Sequence, residues 1–347
     1  MMWMDESHRC WLIHTTQVHR RLAKPPVTMP RLPRCYVRAT FWFIIGIILG
    51  WRLCSIRDTH DQASANSDHE GWVSRTTLFV AVLSSPGGAE LRTAARNTWL
   101  RLGAGKPVAH RFFVGTKGLP GTQIQSLERE SRDHNEDIVL LRNHEDSYDT
   151  LAAKMLAIFD WTATVYKFDF FLKLDDDSLA RVDSICLELD KFAKFPNLYW
   201  GFFAGNAPVF RSGKWAEKDW FLSDRYLPYA RGGGYVLSYT LVRYLSANSH
   251  HLQHYKSEDV AVGVWLSGLK VKRVHDPRFD TEYRSRGCSN SYLVTHKQTA
   301  RMMFDKHKSL EENGVLCPSQ VRWRRSYVYN WKVPPSQCCV RNDSRIP

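Results

Sequence analysis

The sequence predicts an α/β domain with a largely parallel sheet, set behind an N-terminal membrane anchor. Three observations predict it. Strand and helix patterns alternate from residue 77 to 192, and an apolar run at 168–174 leads straight into Asp175-Asp176-Asp177. An uninterrupted apolar stretch at 39–51 stands between Arg38 and Arg52. The 347 residues give ample material for one large domain.

The apolar stretch is short for a span of about 20 residues. Extending it to 36–53 gives a workable segment if both arginines snorkel, since early-secretory bilayers are only about 27 Å thick. Arg31, Arg34 and Arg38 crowd its amino-terminal flank, which keeps that side cytoplasmic and sends the bulk of the chain to the lumen. No small-x-small cleavage site follows Trp51, so a retained anchor is expected rather than a cleaved signal. Residues 1–35 then form a cytoplasmic tail, 36–53 the anchor, 54–76 a polar stem and 77–347 the lumenal domain. Met29 opens the basic-plus-apolar block and is a candidate start site.

Charge follows the same division. Residues 1–57 hold nine Lys/Arg against Asp5 and Glu6, leaving +6 of the net +13 on the remaining 290 residues. That mild excess suits an anionic ligand such as a nucleotide. No basic stripe interleaved with aromatics occurs, so nucleic acid is not an expected partner.

Within the domain, strands are expected at 77–83, 111–114, 138–141 and 168–174. Helices are expected at 90–100, 122–134 and 182–192, with a further one whose apolar face carries Leu151, Met155, Ile158 and Phe159. Such alternation implies a parallel sheet with crossover helices. The second half is less regular and rich in aromatics, Gly and Pro.

Cys186 falls with Val182, Ile185 and Leu189 at helical spacing and reads as a core residue. Cys288, Cys317, Cys338 and Cys339 lack a CxxC knuckle, which favours disulfides over zinc. Adjacent cysteines are poor partners for each other. Cys338 and Cys339 are therefore each expected to bridge to Cys288 or Cys317.

Three like charges in a row repel, so ordering them at a strand end favours a divalent cation with hard oxygen preferences. The carboxyl end of a strand in an open α/β sheet is also where ligands bind. A solvated acidic turn capping the next helix is the alternative. Downstream, Gly232-Gly233-Gly234-Tyr235 reads as a loop feeding a strand, where backbone can approach a ligand closely. Glu258-Asp259 precedes an apolar run, and His296 ends a short β-like stretch.

Taken in order, the motifs Arg92-x-x-x-Arg96-Asn97-Thr98-Trp99, Phe113-Val-Gly115-Thr, Lys173-Leu-Asp175-Asp-Asp177, Tyr226-Leu-Pro-Tyr-x-x-Gly232-Gly-Gly-Tyr235 and Glu258-Asp259-Val260 resemble the β-1,3-glycosyltransferases of family 31, which have a GT-A fold. The resemblance runs from about Thr77 to the carboxyl terminus. Segments at 198–203, 275–290 and 334–339 are similar to those of the member acting on the glycosaminoglycan linker. It implies an inverting transfer of galactose from UDP-galactose, in β-1,3 linkage, to galactosyl-β-1,4-xylosyl-serine of proteoglycans. It also implies Mn²⁺ as cofactor and a single-pass type II protein of the Golgi membrane.

By the same resemblance Asp259 is the catalytic base, and Glu258, Tyr235 and Gly233 are acceptor-binding. Asp175, Asp176, Lys173 and Arg96 are donor-binding, Arg96 having a structural ion pair as its alternative. Asp177 and His296 are the metal ligands, the imidazole binding below full strength under pH of about 6.5. The chain departs from the family at Thr150-Leu-Ala152, where a glycosylation sequon is usual; Asn342-Asp343-Ser344 is the one left. Other readings are a family-31 enzyme using another UDP-sugar on glycoproteins or glycolipids, a metal-dependent lumenal lectin, and a two-carboxylate glycoside hydrolase.

Overall fold

A computed structural model describes residues 74–343 and 345–347. The expected anchor, the tail and most of the stem lie outside these residues, with Met29, Cys10, Cys35 and Cys54. Among the described residues no helix is long and apolar enough to cross a membrane.

The chain runs β1 (Ser74–Leu83), α1 (Ala89–Asn97), β2 (Val108–Gly115), α2 (Gly121–Asp133), β3 (Ile138–Leu141), α3 (Leu151–Val165) and β4 (Tyr166–Asp175). Then come β5 (Leu179–Ala180), α4 (Val182–Leu189), β6 (Leu198–Ala204), β7 (Tyr229–Ser238), α5 (Tyr239–Ala247) and α6 (Glu258–Trp265). Finally β8 (Lys272–His275), β9 (Phe279–Asp280), β10 (Gly287–Cys288), β11 (Val294–Thr295), α7 (Ala300–Asn313) and β12 (Val321–Arg322) complete it. Every strand and helix expected before residue 192 is present, with bounds shifted by a few residues. The helix expected at 90–100 is α1 followed by a tighter 3₁₀ turn, Trp99–Gly103.

The main sheet has the order β3-β2-β1-β4-β7-β6-β8, and only β7 runs against its neighbours. β1 shows why the sheet is central. Leu78, Val80 and Val82 enter one core cluster, while Phe79, Ala81 and Leu83 enter the other. A strand buried on both faces reads as a continuous apolar run, as this one does. Ala94 and Ala95 of α1, Ile185 of α4 and Met303 of α7 cover the first face. Met155 and Phe159 of α3, Leu241 of α5 and Trp265 of α6 cover the second.

Two expectations fail in the second half. The triple glycine is not a loop but the middle of β7, where Gly234 pairs with Leu174 of β4. The structure pairs Cys288 with Cys317 and Cys338 with Cys339, so the carboxyl end is not tied back to either upstream cysteine. Cys288 sits in β10 against Val321, just beyond Cys317, which makes that bridge a local one. Cys338 is buried in the second core cluster and Cys317 in the first, while Cys339 packs against both. Cys186 is free, half-buried and packed on the first cluster, as its spacing implied.

Candidate active site

The site forms where β4 ends. A small sheet, β5-β11-β9, is laid beside that end, with Thr295 opposite Leu179. This pairing brings His296, far away in sequence, to Asp175 and Asp177. Its Nε2 lies 2.9 Å from an Asp177 oxygen and 3.3 Å from an Asp175 oxygen. One ligand atom from each of the three lies within 4.8 Å of the others. Neither ring nitrogen of the buried His296 has an aligned hydrogen-bond partner. Two half-exposed carboxylates converging on an imidazole without an aligned hydrogen bond are a donor set that fits a divalent cation. In the metal-free chain, burial pulls the His296 imidazole down. The Asp175 and Asp177 carboxylates close to it win, and it is pushed up to about 9.

Gly233 serves this corner. A Cβ on it would lie 2.5 Å from Cγ of His296, so only glycine lets the ring in. Its carbonyl accepts a hydrogen bond from Ser178 Oγ at 2.6 Å. The close approach foreseen for this glycine is real, and the side chain that makes it is His296.

Asp176 points elsewhere. Its carboxylate accepts from Ser84 Oγ at 2.9 Å, and its backbone N–H donates to the Leu83 carbonyl. Burial pushes it up to about 6 despite the serine, and the flanking Asp175 and Asp177 add to the rise. Behind it stand residues whose roles the sequence left unassigned. Arg92, fully buried, donates to Ser84 Oγ, to the Ser85 carbonyl and to both oxygens of Glu130. Lys154 donates to the Ser84 carbonyl and to Asp146, which accepts the Gly115 N–H in turn. Lys154 sits on the apolar face of α3, three residues after Leu151 and four before Ile158. A lysine at that spacing was the available signal.

Arg96 is not at the site. Its guanidinium pairs with Glu130 and Asp137 and lies 4.9 Å from the Phe112 ring centroid. Of the two roles open to it, the ion pair is the one the fold provides.

Lys173 links the metal corner to the second one. Fully buried, it donates to Asp175 at 2.7 Å, to the Gly232 carbonyl and to Glu258. Burial would lower its ammonium, but the Asp175 and Glu258 carboxylates hold it well above its ordinary value. Against its burial, Lys173 and then His296 hold Asp175 well below the usual carboxylate range. Glu258 is buried, and its other oxygen accepts from Tyr235 Oη at 3.0 Å. Burial pushes Glu258 upward against the pull of Lys173. Glu258 and Tyr235, expected at the acceptor, are thus engaged with each other and Lys173, and Tyr235 is wholly buried.

Asp259 remains open. It is half-exposed in the first turn of α6, with one oxygen accepting the Gly232 N–H and the other its neighbour's, each at 2.9 Å. Burial raises its carboxyl, opposed first by Arg231 and then by Lys173. A carboxylate with lone pairs to spare and a raised proton affinity suits a general base.

A family model described as Galactosyltransferase matches residues 90–277. The chain is 49% identical over 276 residues to a Mus musculus protein named Beta-1,3-galactosyltransferase 6, covering 78% of this chain and 85% of that one. It is 32% identical over 188 residues to a Xenopus laevis protein named UDP-GalNAc:beta-1,3-N-acetylgalactosaminyltransferase 2, covering 54% of this chain and 38% of that one. A crystal structure of the galactosyltransferase LgtC with donor and acceptor sugar analogs superposes with a TM-score of 0.35 at 13% identity, covering 67% of this chain and 95% of that one.

Proposed function

The chain belongs to the galactosyltransferase family, and from that premise we propose that it is an inverting β-1,3-galactosyltransferase using UDP-galactose. The acceptor is galactosyl-β-1,4-xylosyl-serine of the proteoglycan linkage region. The observation that carries this reading is the 49% identity spread over 85% of the mouse protein of that name. The acidic cluster at the end of β4 supports a GT-A arrangement. The apolar run at 36–53 and its basic flank support a type II signal anchor in the Golgi membrane.

Asp177 and His296 would hold Mn²⁺, with Asp175 beside them. When bound, the cation supplies positive charge that stabilises the departing diphosphate. Asp259 takes the proton of the acceptor 3-hydroxyl. That oxygen bonds to the anomeric carbon of galactose as the bond from this carbon to UDP breaks, the electron pair leaving with UDP. One displacement of this kind inverts the anomeric centre. Lys173 stays protonated and fixes Asp175 on one side and Glu258 on the other. Asp176, with Ser84 behind it, lies on the donor side.

The test is incubation of the full chain with a panel of UDP-sugars and galactosyl-xyloside, with and without chelator. A β-1,3-linked product from UDP-galactose alone, lost on chelation and restored by Mn²⁺, is expected. Transfer of another sugar, or transfer only to glycoprotein or glycolipid acceptors, contradicts the substrate. Hydrolysis indifferent to chelator would point to a glycosidase, and sugar binding without turnover to a lectin.

A further inference from the structure

Arg231 lies in β7, immediately before Gly232, whose N–H donates to the Asp259 carboxylate at 2.9 Å. Its guanidinium carbon stands 5.4 Å from the Tyr229 ring centroid. The Nε is buried and finds no hydrogen-bond partner among the described residues. The carboxylates whose fields reach it, Asp259 and Glu282, are occupied. Glu282 is paired with Arg286, Arg324 and Arg341, and Asp259 with two backbone N–H groups.

The other buried arginines behave differently. Arg286 donates to Asp280, Ser326 and three backbone carbonyls, and Arg92 to two side chains and a carbonyl. A guanidinium carries five N–H donors and no acceptor, and leaving buried donors unanswered is costly. Arg231 therefore differs from these arginines: its Nε is left unanswered, and it lies within the field of Asp259, which only accepts.

We propose that Arg231 and Asp259 together grip the acceptor's terminal sugar through two neighbouring hydroxyls. Asp259 accepts the proton of the reacting hydroxyl, and Arg231 donates to the oxygen of a hydroxyl on the adjacent ring carbon. An acceptor-only group beside a donor-only group matches a diol, in which one hydroxyl gives a hydrogen bond and the next receives one. The pair thus selects acceptors carrying a second hydroxyl beside the one that reacts. This inference rests on the galactosyltransferase reading above.

The experiment compares wild type with Arg231→Gln on galactosyl-xyloside and on its 2-deoxy and 4-deoxy galactosyl analogues. For wild type, one of the two deoxy acceptors should lose roughly ten- to hundredfold in kcat/KM, chiefly through KM. Arg231→Gln should lose a similar factor on the full acceptor and nothing further on that analogue. UDP–Mn²⁺ affinity and the unfolding temperature should stay at wild-type values. If the glutamine variant does not fold, Arg231→Lys, which keeps the charge but not the fork, should show the same loss of discrimination in part. Equal deoxy penalties in wild type and variant, or full activity in Arg231→Gln, would overturn the proposal. A wild-type protein that transfers galactose to no galactosyl acceptor would instead overturn the reading beneath it, and the grip with it.

Discussion

At the metal corner, two half-exposed carboxylates face an imidazole that has no aligned hydrogen bond. At the base corner, Lys173, Glu258 and Tyr235 answer one another in the interior and only Asp259 is left half-open. The first is incomplete by construction and gains from a cation. The second is complete already, and its buried members act as a frame. Lys173 belongs to both, so the two corners share a wall while doing separable work. Substitutions at the metal corner should therefore register in ligand binding, and those in the frame in stability.

The largest expected effect is at Asp177. Asp177→Ala removes the carboxylate closest to His296, and both UDP–Mn²⁺ binding and transfer should fall below detection in calorimetry and a product assay. Wild-type turnover by this variant in the presence of chelator would mean that the cluster holds no working cation.

Next comes the frame. Lys173→Met strands two carboxylates, and breaking a buried pair from one side costs about 3–5 kcal/mol. Urea denaturation should show that loss. Glu258→Gln, which the sequence alone assigned to acceptor affinity, should likewise lower the unfolding midpoint. If Glu258→Gln leaves stability intact and only raises the acceptor KM, the frame has been misread.

The smallest effect separates the corners by pH. Metal-free His296 is raised from about 6.5 to about 9, so its contact with Asp175 and Asp177 stabilises the fold fully below 6.5 and fades as pH rises through 9. A cation needs the neutral ring, so its affinity should rise with pH up to about 9, not level off near 6.5. Calorimetry at pH 7.5 in buffers of differing ionisation enthalpy should show about one proton released per Mn²⁺ bound. His296→Ala should abolish that release, while Asp259→Asn should leave it alone.

The first half of the fold was legible because its elements are local. β1, β3 and β4 are apolar runs bounded by turns, and α3 shows its buried face at 3.6-residue spacing. The second half depends on pairings made across the chain. Nothing near Gly232–Gly234 says that they will lie between β4 and β6, and that register alone puts Tyr235 opposite Lys173 and Gly233 against His296. Asp175, Asp177, His296 and Asp259 were singled out as residue types at family spacings. The partners of Glu258 and Arg96, and the unanswered Nε of Arg231, exist only once distant strands have met. Cys338 and Cys339 were misjudged by the same route, since burial of Cys338 in a separate cluster is a tertiary fact.

The most direct test of two separable corners is Asp259→Asn, with UDP–Mn²⁺ affinity and turnover measured on one preparation. The substitution keeps the shape and removes the proton acceptor, so kcat should fall by about 10²–10⁴ while UDP–Mn²⁺ affinity stays at the wild-type value. Near-normal kcat, or an affinity lost together with the rate, would contradict the assignment of Asp259 as the base and of the metal corner as independent of it.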